Sequence, residues 1–184
     1  MIKKGCFGYI KQRRIIETGI TLFFLALCLI MYYTGIKATG SNKNVLSIVA
    51  ILGTLPMGKF AVTAIMFFKA MPCSKDLYDS LEKENLKPQF FDLYFTTYKK
   101  NFQISTLSIK RQNIIAFSED EKTNAKEAED YITQVVNQAG MNNVTVKVFK
   151  DKEKYFLRLK ELETLEEDNV NRDFVKENIL SVSI

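Results

Sequence analysis

The chain has 184 residues, no histidine and a formal net charge of +5. Without histidine, Ser-His-Asp triads, histidine-ligated metal sites and histidine pH switches are excluded. Residues 1–70 hold nine Lys/Arg against one Asp/Glu, whereas residues 71–184 hold 17 against 20. The second part lacks the concentrated basic face that binding to a phosphate backbone requires, so no nucleic-acid partner is expected.

Two apolar runs within residues 18–69 predict a transmembrane hairpin. The first, residues 18–36, carries no charge, and the second, residues 45–68, carries one, Lys59. A helix of about 20 apolar residues crosses the hydrocarbon core of a bilayer. The first run is longer than the apolar core of a secretory signal peptide and contains a pair of tyrosines near its end, which favours an uncleaved anchor.

Basic residues flank the predicted hairpin on both outer sides. Residues 1–17 form a basic segment with five Lys/Arg, the turn at 37–44 has two, and four lysines follow between positions 69 and 87. Lys/Arg are enriched in cytoplasmic flanks. The pattern therefore predicts a two-span protein of the plasma membrane with both termini in the cytoplasm, and the lipid bilayer is its first expected partner.

Pro56, Gly58 and Lys59 interrupt the second run and are the candidate membrane or partner residues. Proline removes a helix hydrogen bond and glycine loosens a turn, so a kink or break is expected at 56–59. Lys59 has two interpretations: it marks a partner's carboxylate or a polar pathway in the membrane, or it extends to the cytoplasmic surface. Residues 60–68 are then either transmembrane or interfacial, and the sequence leaves this open.

Three cysteines lie in or beside the predicted hairpin. Cys28 is inside the first run, whereas Cys6 and Cys73 flank the two runs. Juxtamembrane cysteines are acceptors for acylation, and the alternative is a reduced thiol, since disulfides are disfavoured in the cytoplasm.

The remaining sequence predicts a connector helix over residues 70–89 and an α+β domain over residues 90–184. Ser74 is the expected N-cap of the connector helix. Strand-like runs with short turns between them predict an antiparallel meander at 90–98, 102–109 and 113–117.

A helix at 121–139, with a capping box formed by Ser118 and Glu121, and a strand at 143–149 predict a βαβ unit. Asp151 is expected to cap a further helix that extends to residue 166, with a strand as the alternative. After a break at 166–169, a last short helix begins near Val170. The apolar tail, residues 180–184, is expected to pack on the domain or to dock on a partner.

One pattern of carboxylates and a lysine resembles an active site. Asp92 lies within an apolar strand, and Asp120-Glu121-Lys122 follows the third strand. This pattern resembles that of metal-dependent nucleases, although the lysine here precedes a helix instead of lying in a strand. It makes Asp92, Asp120 and Lys122 the candidate catalytic residues. The alternatives are that acids 119–121 complement the dipole of the next helix, and that Asp92 faces solvent or pairs with a lysine such as Lys99.

Together these patterns predict a transmembrane hairpin followed by a small cytoplasmic α+β domain, with a mixed sheet of about four strands and helices packed on it. The expected function is a membrane-anchored interaction or scaffold module, an accessory subunit with a protein partner in the membrane. Neither catalysis, a cofactor nor a metal is expected. The alternatives are a membrane-tethered divalent-metal hydrolase or nuclease, and a regulator that senses a small ligand in a pocket between sheet and helices.

Overall fold

The computed structural model describes residues 2–98, 100–141, 143–164 and 172–184. The chain forms two compact units. We call residues 11–69 the helical hairpin, and residues 1–10 together with 70–184 the sheet unit. The segment that precedes the hairpin in the chain therefore folds with the segment that follows it.

Helices α1 (Tyr9–Thr39) and α2 (Val45–Lys69) make up the hairpin, and the first two residues of α1 belong to the sheet unit. Each is long and apolar enough to span a membrane, with mean hydropathies of 2.1 and 1.9. In each helix, only 11% of the apolar 18-residue stretch is buried. Such exposure is unlike that of a helix at the core of a soluble domain, which buries its apolar stripe.

Helix α2 runs without interruption through Pro56, Gly58 and Lys59. The sequence predicts a kink or a break at 56–59; a break is absent, and residues 60–68 continue the same helix. A proline removes a single backbone N–H donor, and long apolar helices tolerate that loss.

The sheet unit contains a four-stranded mixed sheet in the order β1-β2-β3-β4. Its strands are β1 (Phe90–Thr96), β2 (Asn101–Lys110), β3 (Asn113–Phe117) and β4 (Thr145–Phe149). The first two pairings are antiparallel and the third is parallel. The predicted meander and the predicted crossover between β3 and β4 are both confirmed.

Helices cover both faces of this sheet. They are α3 (Lys75–Lys83), α4 (Ala125–Gln138), α5 (Lys152–Glu163) and α6 (Arg172–Val182). The larger core lies between one face and helices α4 and α6, around the fully buried Leu93, Ile104 and Ile132. The smaller core lies between the other face and helices α3 and α5, around Leu81 and Tyr155.

Both chain ends cover the outer edge of β1. The Phe91 N–H donates to the Gly5 carbonyl oxygen (2.7 Å), and the Ile184 N–H donates to the Tyr94 carbonyl oxygen (2.9 Å). Gly5 has a φ of +83°, and a Cβ there would lie 2.9 Å from side-chain atoms of Phe90 and Leu180, so the position requires glycine. The apolar tail thus packs on the domain, which was one of the two expected outcomes.

One local prediction is wrong. Helix α4 begins at Ala125 and is capped by Asn124, whose side chain accepts from the N–H groups of Lys126 and Glu127. The expected capping box of Ser118 and Glu121 therefore does not form. The prediction of a helix capped by Asp151 is confirmed by α5, and the alternative of a strand in this segment is not realised. The expected break at 166–169 and the helix start near Val170 lie outside the described residues.

Tyr155 is the centre of the smaller core. It is fully buried, stacks on the Phe117 ring at 5.3 Å and accepts a hydrogen bond from the Thr106 hydroxyl (3.0 Å). Burial raises the pKa of Tyr155 strongly, because a phenolate would lose its hydration, and the hydrogen bond with Thr106 offsets only part of this effect.

The raised pKa of Tyr155 predicts a loss of stability in alkaline solution. Above pH ~10 this tyrosine is ionised in the unfolded chain, whereas the folded protein keeps it protonated. The contribution of Tyr155 to the free energy of unfolding is therefore complete below pH ~10 and falls by up to about 1.4 kcal/mol per pH unit above it. Denaturant unfolding of the detergent-solubilised protein, compared with Tyr155→Phe, measures this slope. The variant should show a shallower alkaline decline, and an unchanged slope would contradict the assignment.

Candidate functional site

Polar side chains of the sheet unit accept hydrogen bonds from the backbone of residues 71–74. These residues follow α2 in the chain and precede α3. The backbone N–H of Met71 donates to Gln103 Oε1 (3.0 Å), that of Cys73 to Asp92 Oδ1 (2.6 Å), and that of Ser74 to Glu119 Oε2 (3.0 Å). Residue 72 is a proline and has no N–H. Every backbone donor of the segment is therefore accepted by a side chain, and we call Asp92, Gln103 and Glu119 the clamp.

Asp92 is held in an uncommon backbone conformation. It lies inside β1, is 1% exposed and has a φ of +56°, in the left-handed region. A non-glycine residue there costs on the order of 1–3 kcal/mol unless its surroundings compensate, and such strain is concentrated at functional positions. The expectation that Asp92 faces solvent is therefore wrong. Its expected alternative partner, Lys99, lies outside the described residues.

The strain coincides with a change in strand alternation. In a regular strand, residues two apart share a face, yet Phe90 and Leu93 both belong to the larger core. The ladder pairs Phe91 with Thr106 and Leu93 with Ile104 but skips the pair between them, Asp92 and Ser105. The left-handed conformation of Asp92 gives it a position from which its carboxylate accepts from the Cys73 N–H.

Gln103 and Glu119 complete the clamp from neighbouring segments. Gln103 is 1% exposed, and its Nε2 donates to the Leu93 carbonyl oxygen (3.3 Å), which leaves Oε1 oriented towards Met71. Glu119 accepts from Ser74 twice, since the Ser74 hydroxyl donates to Oε1 (2.6 Å). The same hydroxyl accepts from the Leu77 N–H (3.1 Å), so it also caps α3 as predicted.

Asp120 and Lys122 belong to a different arrangement. Asp120 Oδ1 accepts from the Lys122 N–H (3.1 Å), and Oδ2 accepts from the Thr123 hydroxyl (3.1 Å). These bonds form the turn before α4, which starts at Ala125, so Asp120 stabilises a turn and not the first turn of the helix. The Lys122 side chain is exposed. Lys150 donates to the Asp120 carbonyl oxygen, and partial burial lowers the pKa of Lys150 against the opposing effect of Asp120 and Glu121.

The three candidate catalytic residues are thus engaged in separate tasks. Asp92 accepts from a backbone N–H under α3, whereas Asp120 and Lys122 lie in the turn before α4. Among the described residues, no group of three or more Asp, Glu or Cys side chains is placed to hold a metal ion. The clamp consists of hydrogen-bond acceptors for backbone N–H groups, and its chemistry is that of holding a chain segment.

Comparison with protein-family models, with curated proteins and with solved structures finds no match to this chain. The site must therefore be interpreted from its own geometry.

Gln103 and Glu119 were missed by the sequence reasoning, and the irregularity that the sequence does show nearby belongs to the pair of Asp92 and Ser105. The apolar residues of β2 lie at 102 and 104 and then at 107 and 109, so their period of two shifts at Ser105-Thr106. A shift of this kind marks an irregular pair in a ladder. No comparable signal marks Glu119, which acts through its place after β3.

The two cysteines proposed for acylation differ in access. Cys73 is 1% exposed beneath the clamp, whereas Cys6 is exposed. Cys28 is buried inside the hairpin. Within the folded protein, Cys6 is the thiol that a reagent or an acyl donor can reach directly.

A groove of about 570 Å³ runs along α3 on the outside of the sheet unit. Tyr78, Leu81 and Phe91 provide apolar walls, and Glu82 and Lys87 are charged residues in its lining. It is open to solvent, unlike the pocket between sheet and helices that a ligand-sensing regulator was expected to have.

Substitution of Asp92 tests the clamp. Asp92→Ala removes the acceptor of the Cys73 N–H and places alanine in the left-handed region, so we expect a loss of about 2–4 kcal/mol in unfolding free energy. Asp92→Asn keeps an oxygen acceptor and tolerates positive φ, so we expect a loss of about 1 kcal/mol. Tyrosine near-ultraviolet circular dichroism during denaturant unfolding of the full chain measures both.

The rate at which Cys73 reacts with a thiol reagent provides a local readout for the same variants. Asp92→Ala should accelerate it much more than Asp92→Asn. Equal stability and equal labelling in the two variants would show that the carboxylate does not hold the segment.

Proposed function

We propose that this chain is a membrane-anchored interaction module, in which α1 and α2 cross the plasma membrane and the sheet unit lies in the cytoplasm. In this role it is an accessory or scaffold subunit of a larger membrane complex. The observation that carries the proposal is that the sheet unit is built from chain on both sides of the hairpin.

The folding of both flanking segments into one unit supports a two-span topology. Lys4 Nζ donates to the Ser183 carbonyl oxygen (2.6 Å), and the Phe7 ring stacks on Tyr78 at 4.2 Å. Because the segment before α1 and the segment after α2 belong to one folded unit, both must be on the same side of a bilayer. Two crossings satisfy this condition and a single crossing does not.

Charge supports the cytoplasmic side. Residues 1–17 carry five Lys/Arg, whereas the turn at 37–44 carries Lys37 and Lys43 alone. The end of a hairpin with the larger excess of Lys/Arg stays in the cytoplasm.

The exposed surface of the hairpin supports a role in interaction. Leu55 is 72% exposed, and a Cβ added at Gly58 would meet no atom within 4 Å. The face of α2 with Pro56 and Lys59 is exposed as well. In a bilayer these side chains are available to lipid or to the helix of a partner. The hydrolase and ligand-sensor alternatives have no comparable observation among the residues that the structure describes.

The native Cys6 reports the topology. In intact cells a membrane-impermeant maleimide should leave Cys6 unlabelled, and in inside-out vesicles it should label it. A Ser41→Cys variant in the Cys6→Ser background places the thiol in the exposed turn and should show the opposite pattern. Labelling of Cys6 in intact cells would contradict the cytoplasmic assignment.

Photo-crosslinking from the hairpin tests for a partner in the membrane. A benzophenone side chain at Leu55 faces away from α1, whereas one at Ala50, which is 5% exposed, faces into the chain. We expect a single protein adduct of fixed mass from position 55 in native membranes and none from position 50. No adduct at 55, together with a monodisperse monomer after mild solubilisation, would refute the accessory-subunit role.

A further inference from the structure

The register of α1 against α2 defines which residues share a depth along the hairpin. Three contacts set it: the Arg14 guanidinium donates to the Phe67 carbonyl oxygen (3.2 Å), the Phe24 and Phe60 rings stack at 5.7 Å, and Cys28 Sγ lies 3.0 Å from where a Gly53 Cβ would be. The helices are therefore antiparallel and matched in level over most of their length.

This register extends beyond the uncharged run of α1. Thr18, where that run begins, lies between the levels of Arg14 and Phe24, and therefore opposite a residue between Phe60 and Phe67. Residues 11–17 and 64–69 thus run side by side outside the uncharged run. We call these two segments the hairpin base.

The hairpin base is rich in cations. Its single acid, Glu17, is buried and pairs with Arg13 at 3.3 Å. Arg14 donates to the last turn of α2 and lies over the Phe68 ring at 5.2 Å. Lys11 and Lys69 remain exposed at this level. The base therefore has an excess of positive charge, and its two exposed lysines are separate from the internal contacts.

Lys59 lies outside the hairpin base, but its side chain is long enough to extend towards it. It is adjacent to Phe60 and hence level with Phe24, six residues or about 9 Å along the helix from Thr18. Its side chain is exposed. The four-carbon stem of a lysine covers most of that distance when it turns towards the C-terminal end of α2, against the N-terminal tilt of helical side chains, and the stem then stays against apolar surface.

We propose that the hairpin base binds anionic lipid headgroups of the cytoplasmic leaflet through Lys11, Lys59 and Lys69. This inference rests on the proposed membrane insertion. The three ammonium groups meet the bilayer where phosphates lie, and the exposed Phe68 ring, 57% accessible, is at the same level. A layer of exposed lysines next to apolar helices complements phosphatidylglycerol better than zwitterionic lipid, because each headgroup adds a net negative charge.

Native mass spectrometry of the full chain, titrated in detergent with phosphatidylglycerol and with phosphatidylcholine, tests the proposal. We expect tighter binding of phosphatidylglycerol, weakened about fivefold for each lysine replaced in Lys11→Gln, Lys59→Gln and Lys69→Gln. Raised salt should reduce the preference in the native chain and have little effect on the triple variant. Lys37→Gln with Lys43→Gln, at the opposite end of the hairpin, is the matched control and should keep the preference.

Equal affinity for the two lipids, or equal loss in the control pair, would overturn the proposal. So would a Lys59→Gln variant that loses the Leu55 protein adduct but keeps lipid binding, since Lys59 would then serve a partner carboxylate. Resistance to alkaline carbonate extraction separates the two levels of failure. A protein that is extracted refutes membrane insertion itself, whereas an integral protein without lipid preference refutes the lipid site alone.

Discussion

The hydrogen bond from the Cys73 N–H to the Asp92 carboxylate is the contact on which the sheet unit depends. It is buried, it compensates a left-handed residue inside a strand, and it lies four residues after the end of α2. An unsatisfied buried donor costs about 1–3 kcal/mol, and the clamp removes this cost for each donor of residues 71–74. The chain that leaves the hairpin is thus fixed to the sheet by side chains, although the segment itself has no regular secondary structure.

Both edges of the sheet have covering contacts. The two chain ends bond to β1, and on β4 the Val148 N–H donates to Glu129 Oε1 (2.9 Å), which also pairs with Lys147 at 3.3 Å. Covered or charged edges disfavour pairing with the strand of another chain. A partner that binds by adding a strand is therefore a poor fit to this unit. The exposed apolar faces of α1 and α2 are better suited to the proposed assembly.

The regular elements of this protein could be predicted from the sequence, because each depends on local patterns. A short apolar run identifies β3 and alternating valines identify β4, whereas Ser74 and Asp151 identify helix starts through their own side chains. The clamp could not be predicted in the same way. Its three acceptors come from β1, β2 and the turn after β3, and only tertiary folding brings them to residues 71–74. The shift of the apolar period at Ser105-Thr106 in β2 is visible in the sequence, but the segment that the clamp holds, residues 71–74, is not.

The position of Lys59 likewise differs between the sequence and the folded hairpin. Read along the sequence, this lysine stands 14 residues from the start of α2 and ten from its end, which places it inside an apolar run. Read across the hairpin, it is level with Phe24, close to the point where the uncharged part of α1 begins. Depth in a two-helix hairpin is set by the partner helix and not by distance along one chain. The antiparallel contacts therefore place an apparently central charge within six residues of the level where the uncharged part of α1 begins, and they do so without any break at Pro56.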